Sequence, residues 1–381
     1  MKDLVERMTG WRRDLHRHPE FGFEEQRTAR FVADTLRDMG LDVAEGIGGT
    51  GVVATLQRGT SNRAIALRAD MDALRITETT ESEWASTTPS TMHACGHDGH
   101  TSCLLGAASI LAQEGGIDGT VRFIFQPAEE WGQGAQAMID DGLLDRFPFD
   151  EIYGLHNMPG LPVGHTQTRP GAIMSAEDIF EIELTGLGGH ASRPHAGREV
   201  LTPACALVLE LQTIVSRRVD PGDIAVVSVT ELLTDGVRNA LPGKARVMGD
   251  ARSFRPEVSA LIEAEMRRIA SGIALGHGVK AYVTYSREFV PLLNNPELTT
   301  AFGEAATQIS AAVDANAPAI TASEDFARFL AHVPGCFAFF GNGEDSAPLH
   351  NPGYDFNDAS LLHGARLHVE IARQRLAERS V

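Results

Sequence analysis

Three times in the first 160 residues, a short apolar run ends directly on residues able to hold a cation or move a proton. Ala64–Arg68 runs into Ala69-Asp70-Met71-Asp72, Val121–Phe125 into Gln126-Pro127-Ala128-Glu129-Glu130, and Ile152–Leu155 into His156-Asn157. Short continuous apolar runs suit strands buried on both faces. Helical patterns separate them, at Ser102–Gln113 and at Gly134–Asp141. This alternation predicts an α/β fold: a mainly parallel sheet with helices on both faces. Ligands of such sheets bind beyond the carboxyl ends of the strands. The three polar endings therefore share one edge and can converge there.

A fourth stretch, Met92–Thr101 (MHACGHDGHT), opens the 102–113 helix. It sets Cys95 close to His97, with His93, Asp98 and His100 nearby, and places Cys95 and His97 in the connection before that helix. Gly96 and Gly99 remove side-chain bulk, so the backbone can fold tightly. Thiolate and imidazole together suit a borderline-soft divalent cation, Zn²⁺ first and Mn²⁺ or Co²⁺ less readily. A histidine-rich loop with no ligand is the plain alternative for ten residues taken alone. The carboxylates and His156 on the same edge weigh against it.

On either side, residues 3–18 and 24–39 read as helices, with Leu4, Met8, Trp11 and Leu15 at three- and four-residue spacing. Around residue 178 the texture changes. Phe180, Ile182 and Leu184 alternate with Glu181, Glu183 and Thr185, the pattern of a half-exposed antiparallel strand. The elements that follow read β-α-β-β-α-β, the order of a ferredoxin-like unit. This gives a catalytic domain of residues 1–177 and 290–381, interrupted by an α+β domain of 178–289. The last part carries a helix at about 296–312, a strand at Cys336–Phe340 and a final helix at about 358–377.

Composition excludes other classes. With 51 acidic against 33 basic residues, a formal charge of −18, the chain lacks the basic surface that nucleic acid requires. Its apolar runs fall short of the ~18–20 residues of a membrane span. The N-terminus is charged and amphipathic, without the apolar core of a signal peptide. Four scattered cysteines do not form a disulfide framework, so a reducing, cytoplasmic location is expected. Cys103, Cys205 and Cys336 are expected to be core thiols. Gly186-Leu187-Gly188-Gly189 lacks the last glycine and the parallel-sheet setting of a phosphate loop.

With these residues in view, the chain resembles the M20 metallopeptidase family. It looks most like the branch of N-acyl-amino-acid amidohydrolases that includes hippurate hydrolases and plant auxin-conjugate hydrolases. The resemblance is carried by Leu15-His16-Arg17-His18-Pro19-Glu20, RADMDAL, CGHDGHT, QPAEE, GLHNMPG, GGHASRPH, the Asn239–Pro242 stretch, Arg252, Ser323-Glu324-Asp325-Phe326 and LHNPGYDFND, in that order. It implies a catalytic α/β domain with an inserted lid that forms a homodimer or higher homo-oligomer. It also implies two divalent metal ions, Zn²⁺ first, with Mn²⁺, Co²⁺ or Ni²⁺ as alternatives. Their ligands would be Cys95, His97, Glu130, His156 and His350, with Cys95 able to bridge. Glu129 would be the general base. His190 would stabilise the oxyanion, Asn239 and Arg252 would bind substrate, and Asp72, with Asp70, would orient ligands.

The implied reaction is hydrolysis of the amide bond of a small N-acyl-L-amino acid, giving a carboxylic acid and a free amino acid. A dipeptidase or carboxypeptidase on the same di-metal scaffold is the nearest alternative. A cysteine hydrolase using Cys95 would have no need of Glu129 and Glu130, and a non-catalytic metal binder would lack the base beside the ligands. Two positions depart from the family pattern: Arg75 stands where proline is usual, and Asn239-Ala240-Leu241-Pro242 replaces Asn-Val-Ile-Pro. Arg75 is expected to be exposed. His93 and His100 could orient ligands or serve structure alone, and His16 and His18 read as helix-end residues. His165, His195, His277, His332, His363 and His368 read as packing or surface residues.

Overall fold

The apolar run Ala64–Arg68 becomes the strand Ala64–Asp70, near the middle of an eight-stranded sheet. In the computed structural model, which describes residues 1–377, this sheet belongs to a unit of Met1–Ile173, Leu293–Ala319 and the chain from Glu324 onward. Across it the strands run Asp42–Ile47, Gly51–Arg58, Gly119–Gln126, Ala64–Asp70, Glu151–Pro159, Gly335–Gly343, His165–Gln167 and Ala312–Asp314. The four from Gly119–Gln126 to Gly335–Gly343 are mutually parallel, and the first two strands pair antiparallel. The sheet is therefore mainly parallel at its centre, as the apolar runs require.

Alternation along Ala64–Asp70 divides two environments. Ile65, Leu67 and Ala69 enter one large core with Met8, Leu104, Leu111, Phe302 and Ala365, drawn from long helices. Arg68 and Asp70 point the other way, where Arg68 lies 5.9 Å from the Phe326 ring. Short helices Gly134–Asp140 and Ala327–Leu330 pack together there.

Sequence patterning misplaced some elements. The helix expected from Ser102 begins at His97 and runs to Glu114, so His97 lies in its first turn rather than in the connection before it. Gly96, left-handed at φ 95°, forms the boundary. The strands Asp42–Ile47, His165–Gln167 and Ala312–Asp314 escaped notice because they are short and largely polar or exposed. Cys103 and Cys336 are buried, but Cys205 is exposed. The helix Leu201–Leu211 is apolar nearly all round, and Cys205 falls on its outer face with Leu209.

The second unit comprises Met174–Leu292 with Ile320–Ser323. Its sheet runs Ala225–Thr234, Lys244–Ser253, Ala176–Thr185, Lys280–Phe289, with every neighbour antiparallel. Numbered in chain order, this is 2-3-1-4, the arrangement of the ferredoxin-like unit. Phe180, Ile182 and Leu184 point into a separate core with Val247, Leu207 and Ile262. The helix Pro256–His277 begins on proline and is closed by Gly278 at φ 68°, the usual asymmetry of helix ends. No helix among the described residues is long and apolar enough to cross a membrane.

Candidate metal centre

The strand ends and the start of the central helix meet in the first unit. His97 Nε2 lies 3.9 Å from carboxylate oxygens of Asp70, Glu129 and Glu130. Cys95 Sγ is 3.4 Å from His156 Nε2, and His350 Nε2 is 3.4 Å from Glu130 Oε1. Donor atoms within 4.8 Å of one another form the groups Cys95–His97–His156, Cys95–Glu130–His350 and His97–Glu129–Glu130. The five expected ligands are thus together, and Cys95 belongs to two of the groups.

Hydrogen bonds on the far side of each ring set which nitrogen faces the centre. His97 Nδ1 donates to the Asp72 carbonyl at 2.9 Å, with Asp72 Oδ1 at 3.2 Å. His156 Nδ1 donates to the Asn157 carbonyl at 2.7 Å. A carbonyl can only accept, so both Nδ1 atoms carry a proton and both Nε2 atoms point inward. His100 is different. Its Nδ1 faces Asp70 Oδ1 at 2.6 Å and its Nε2 accepts the Asn157 backbone N–H at 2.9 Å. Both nitrogens are engaged, so His100 orients Asp70 and the His156-Asn157 strand end instead of ligating. Asn157 donates to the Cys95 carbonyl at 2.7 Å and accepts from Tyr354 at 2.6 Å. A Cβ on Gly96 would come within 2.4 Å of that Asn157 amide, so only glycine admits this approach.

Asp98 turns away from the centre. It pairs with His16 at 2.8 Å and with the buried guanidinium of Arg12 at 3.7 Å. His93 is buried with neither ring nitrogen partnered, and it lies outside the donor groups. His350 sits on a left-handed backbone (φ 62°), and its N–H is anchored to the Ala94 carbonyl at 2.8 Å. Arg75 is exposed, stacked 4.1 Å from the Phe21 ring and 3.5 Å from Glu24.

The electrostatics favour cations. Asp70, Asp72, Glu129, Glu324 and Asp325 are buried and Glu130 nearly so. Among them Arg68 contacts Asp70 at 2.7 Å, Glu324 at 2.9 Å and Asp325 at 3.2 Å. One guanidinium does not neutralise this set. Burial, then Glu324, Glu130 and Asp325, push the Glu129 carboxyl far above the carboxylate range. Burial, then Glu130 and Glu129, likewise push the Cys95 thiol well up. Burial opposes a charge on His97, yet Asp70, Asp72 and Glu130 outweigh it and raise that ring to about 10. Buried His97 Nε2 has no hydrogen-bond partner. A thiol, imidazoles and carboxylates crowded around a deficit of positive charge fit two divalent cations, with Cys95 serving as thiolate once they bind. A free nucleophilic cysteine needs an electropositive setting, and Cys95 has the reverse.

Three expected site residues belong to the second unit. His190 is exposed on a short ribbon, Gly189–His190 paired with Ala240–Leu241. Its Nδ1 accepts from the Ser192 backbone N–H at 3.1 Å. Exposed Asn239 borders the same ribbon, its carbonyl accepting the Ala191 N–H at 3.1 Å. Arg252 stands elsewhere on the main sheet of that unit, paired with Glu177 at 3.0 Å and Asp250 at 2.8 Å.

Residues 66–374 match the family model for peptidase family M20/M25/M40. The chain belongs to peptidase family M20. Relatives of this M20 protein include an N-acetyl-L-cysteine deacetylase of Bacillus subtilis, 37% identical over 99% of this chain and 90% of the relative. A hippurate hydrolase of Campylobacter jejuni is 38% identical over 96% of this chain and 95% of the relative. Among solved structures, a dinuclear metal-binding M20 peptidase of Bacillus subtilis superposes with a TM-score of 0.87 at 32% identity, covering 99% of each chain.

Arg68, Asn157, Glu324 and Asp325 lie within the motifs of this M20 protein, but nothing local in the sequence states their roles. Their work depends on contacts across as many as 257 positions. Tyr354 stands within the LHNPGYDFND motif with nothing to mark its contact with Asn157, and Glu25 lies outside the motifs.

Proposed function

We propose that this M20 enzyme hydrolyses the amide bond of N-acyl-L-amino acids, with Cys95, His97, Glu130, His156 and His350 holding two divalent metal ions and Glu129 acting as general base. One observation carries the reading: Glu129 and Glu130 leave the same turn, and each reaches His97 Nε2 at 3.9 Å. Adjacent carboxylates can then divide the work, Glu130 as ligand and Glu129 as proton carrier. The bound metals, Zn²⁺ first, supply Lewis acidity and lower the pKa of water. Glu129 takes the proton of the attacking water and delivers it to the amide nitrogen as the C–N bond breaks. Asp72 holds the His97 ring and, through Oδ2, accepts the Glu130 N–H at 3.1 Å.

His190 stabilises the developing oxyanion, with Asn239 beside it contacting substrate. Arg252 supports substrate binding less directly, because Glu177 and Asp250 already occupy its guanidinium. The substrate is a small molecule, and the relatives named for acyl-amino-acid hydrolysis support that class. The enzyme acts in the cytoplasm as a homodimer. The edge strand Ala225–Thr234, with exposed Leu232 and Leu233, is the kind of surface that a second copy covers.

The test is release of free amino acid from N-acetyl, N-benzoyl and indole-acetyl amino acids and from dipeptides, before and after Zn²⁺, Mn²⁺, Co²⁺ or Ni²⁺ is restored to stripped protein. Cleavage of acyl amino acids is expected. Glu129→Gln should lower kcat by about 10²- to 10⁴-fold while metal content is unchanged. Cleavage of dipeptides alone would move the enzyme to the peptidase branch.

A further inference from the structure

We propose that Glu25 is a positioning residue for the reaction: its carboxylate fixes the left-handed Ala128 turn from which Glu129 is aimed. The proposal rests on the reading of Glu129 as the base. Glu25 is fully buried. One carboxylate oxygen accepts the Ala128 backbone N–H at 2.8 Å, and the other accepts the Thr50 hydroxyl at 2.6 Å. Ala128 has φ 47°, a left-handed conformation that a residue with a Cβ keeps only where its surroundings enforce it. The turn bearing the base is therefore held from outside.

The other side of Glu129 is held in the same way. The Glu130 N–H ends on Asp72 Oδ2 at 3.1 Å. Two buried carboxylates thus grip the amides one residue before and one residue after Glu129. Asp72 also serves His97, whereas Glu25 touches no metal-ligand candidate, so its grip on the backbone can be tested apart from the metals.

Helix capping does not explain Glu25. It occupies the N-cap position of the helix Gln26–Asp38 without making a side-chain cap hydrogen bond. Glu20 makes those bonds instead, accepting from Arg27 N at 3.0 Å and Thr28 N at 2.8 Å. Burying a carboxylate is costly, and this helix does not require it. The segment that delivers Glu25 is fitted to the turn. A Cβ on Gly22 would lie 3.0 Å from the Ala128 Cβ, and Phe21 packs edge-on against Trp131 at 5.2 Å.

The test uses the metal-loaded full chain and compares Glu25→Ala, Glu25→Asp and Glu25→Gln for kcat, KM, metal content and thermal midpoint. Alanine leaves the Ala128 N–H unpaired, and aspartate is too short to reach both partners. Each should lower kcat by about 10- to 100-fold, the scale of a small misplacement of a reacting group. KM and bound metal should stay near wild type. Glutamine can accept from Ala128 N–H and donate to Thr50, so it should recover most of the loss. Wild-type kcat in Glu25→Ala, or in Glu25→Asp if the alanine variant does not fold, would overturn the proposal. So would a loss confined to KM or metal content, or a Glu25→Gln variant as slow as the alanine. Failure of the base assignment would show separately, as turnover retained in metal-loaded Glu129→Gln.

Discussion

At the scale of single residues, the centre is built by few atoms in close quarters. Cys95 belongs to two donor groups, so Cys95→Ser should lower occupancy of both metal ions, as measured by elemental analysis after dialysis. Gly99 illustrates the packing limit. A Cβ there would lie 2.2 Å from Phe356 ring carbons, and Gly99→Ala should cost about 1–3 kcal/mol in denaturant unfolding. His16 gives a pH signature. Burial works against its charge, but Asp98 at 2.8 Å and Glu78 outweigh that and raise it to about 9. A histidine that holds its proton more tightly when folded stabilises fully below the unfolded value of ~6.5 and loses that contribution as pH rises through about 9. Stability measured across that window should fall, and His16→Gln should flatten the fall.

At the scale of elements, the helix His97–Glu114 reads the end of the strand Ala64–Asp70. His97 reaches Asp72, His100 reaches Asp70 Oδ1, and the Thr101 hydroxyl donates to the Asp70 carbonyl at 2.8 Å. Residues three and four apart share a helix face, so one face of the first turns organises both aspartates. The rest of the helix is anchored in the core. Leu104 is fully buried, and Leu104→Ala should cost about 2–5 kcal/mol. A loss of metal affinity in the same variant would show that helix placement and ligand placement are one property.

At the scale of the whole molecule, the two units have separate cores, and among the described residues every metal-donor group belongs to the first. Ile182→Ala in the second core should therefore destabilise by about 2–5 kcal/mol while leaving bound metal unchanged. Calorimetry and elemental analysis on one preparation would decide it. Sedimentation should show a dimer at working concentration. A fully active monomer would remove the homodimer from the functional reading.

The sequence alone determined the mainly parallel sheet, since apolar runs alternating with helical patterns admit few other folds. It determined the ferredoxin-like second unit through the element order β-α-β-β-α-β, and period-two alternation at Phe180, Ile182 and Leu184 stated which face of its first strand is buried. It also set Asp70, Asp72, Glu129, Glu130 and His156 towards one edge, because polar groups that follow buried parallel strands gather there. Tertiary structure decided what periodicity cannot encode. It started the central helix at His97, placed Cys205 outside on a helix apolar nearly all round, and turned Asp98 towards His16 and Arg12. It gave Glu25 the Ala128 amide as a partner 103 residues away. Local pattern reports which face of an element is buried. It does not report which distant group a buried polar atom meets, and in this M20 enzyme those meetings set the tautomers, the charge and the aim of the site.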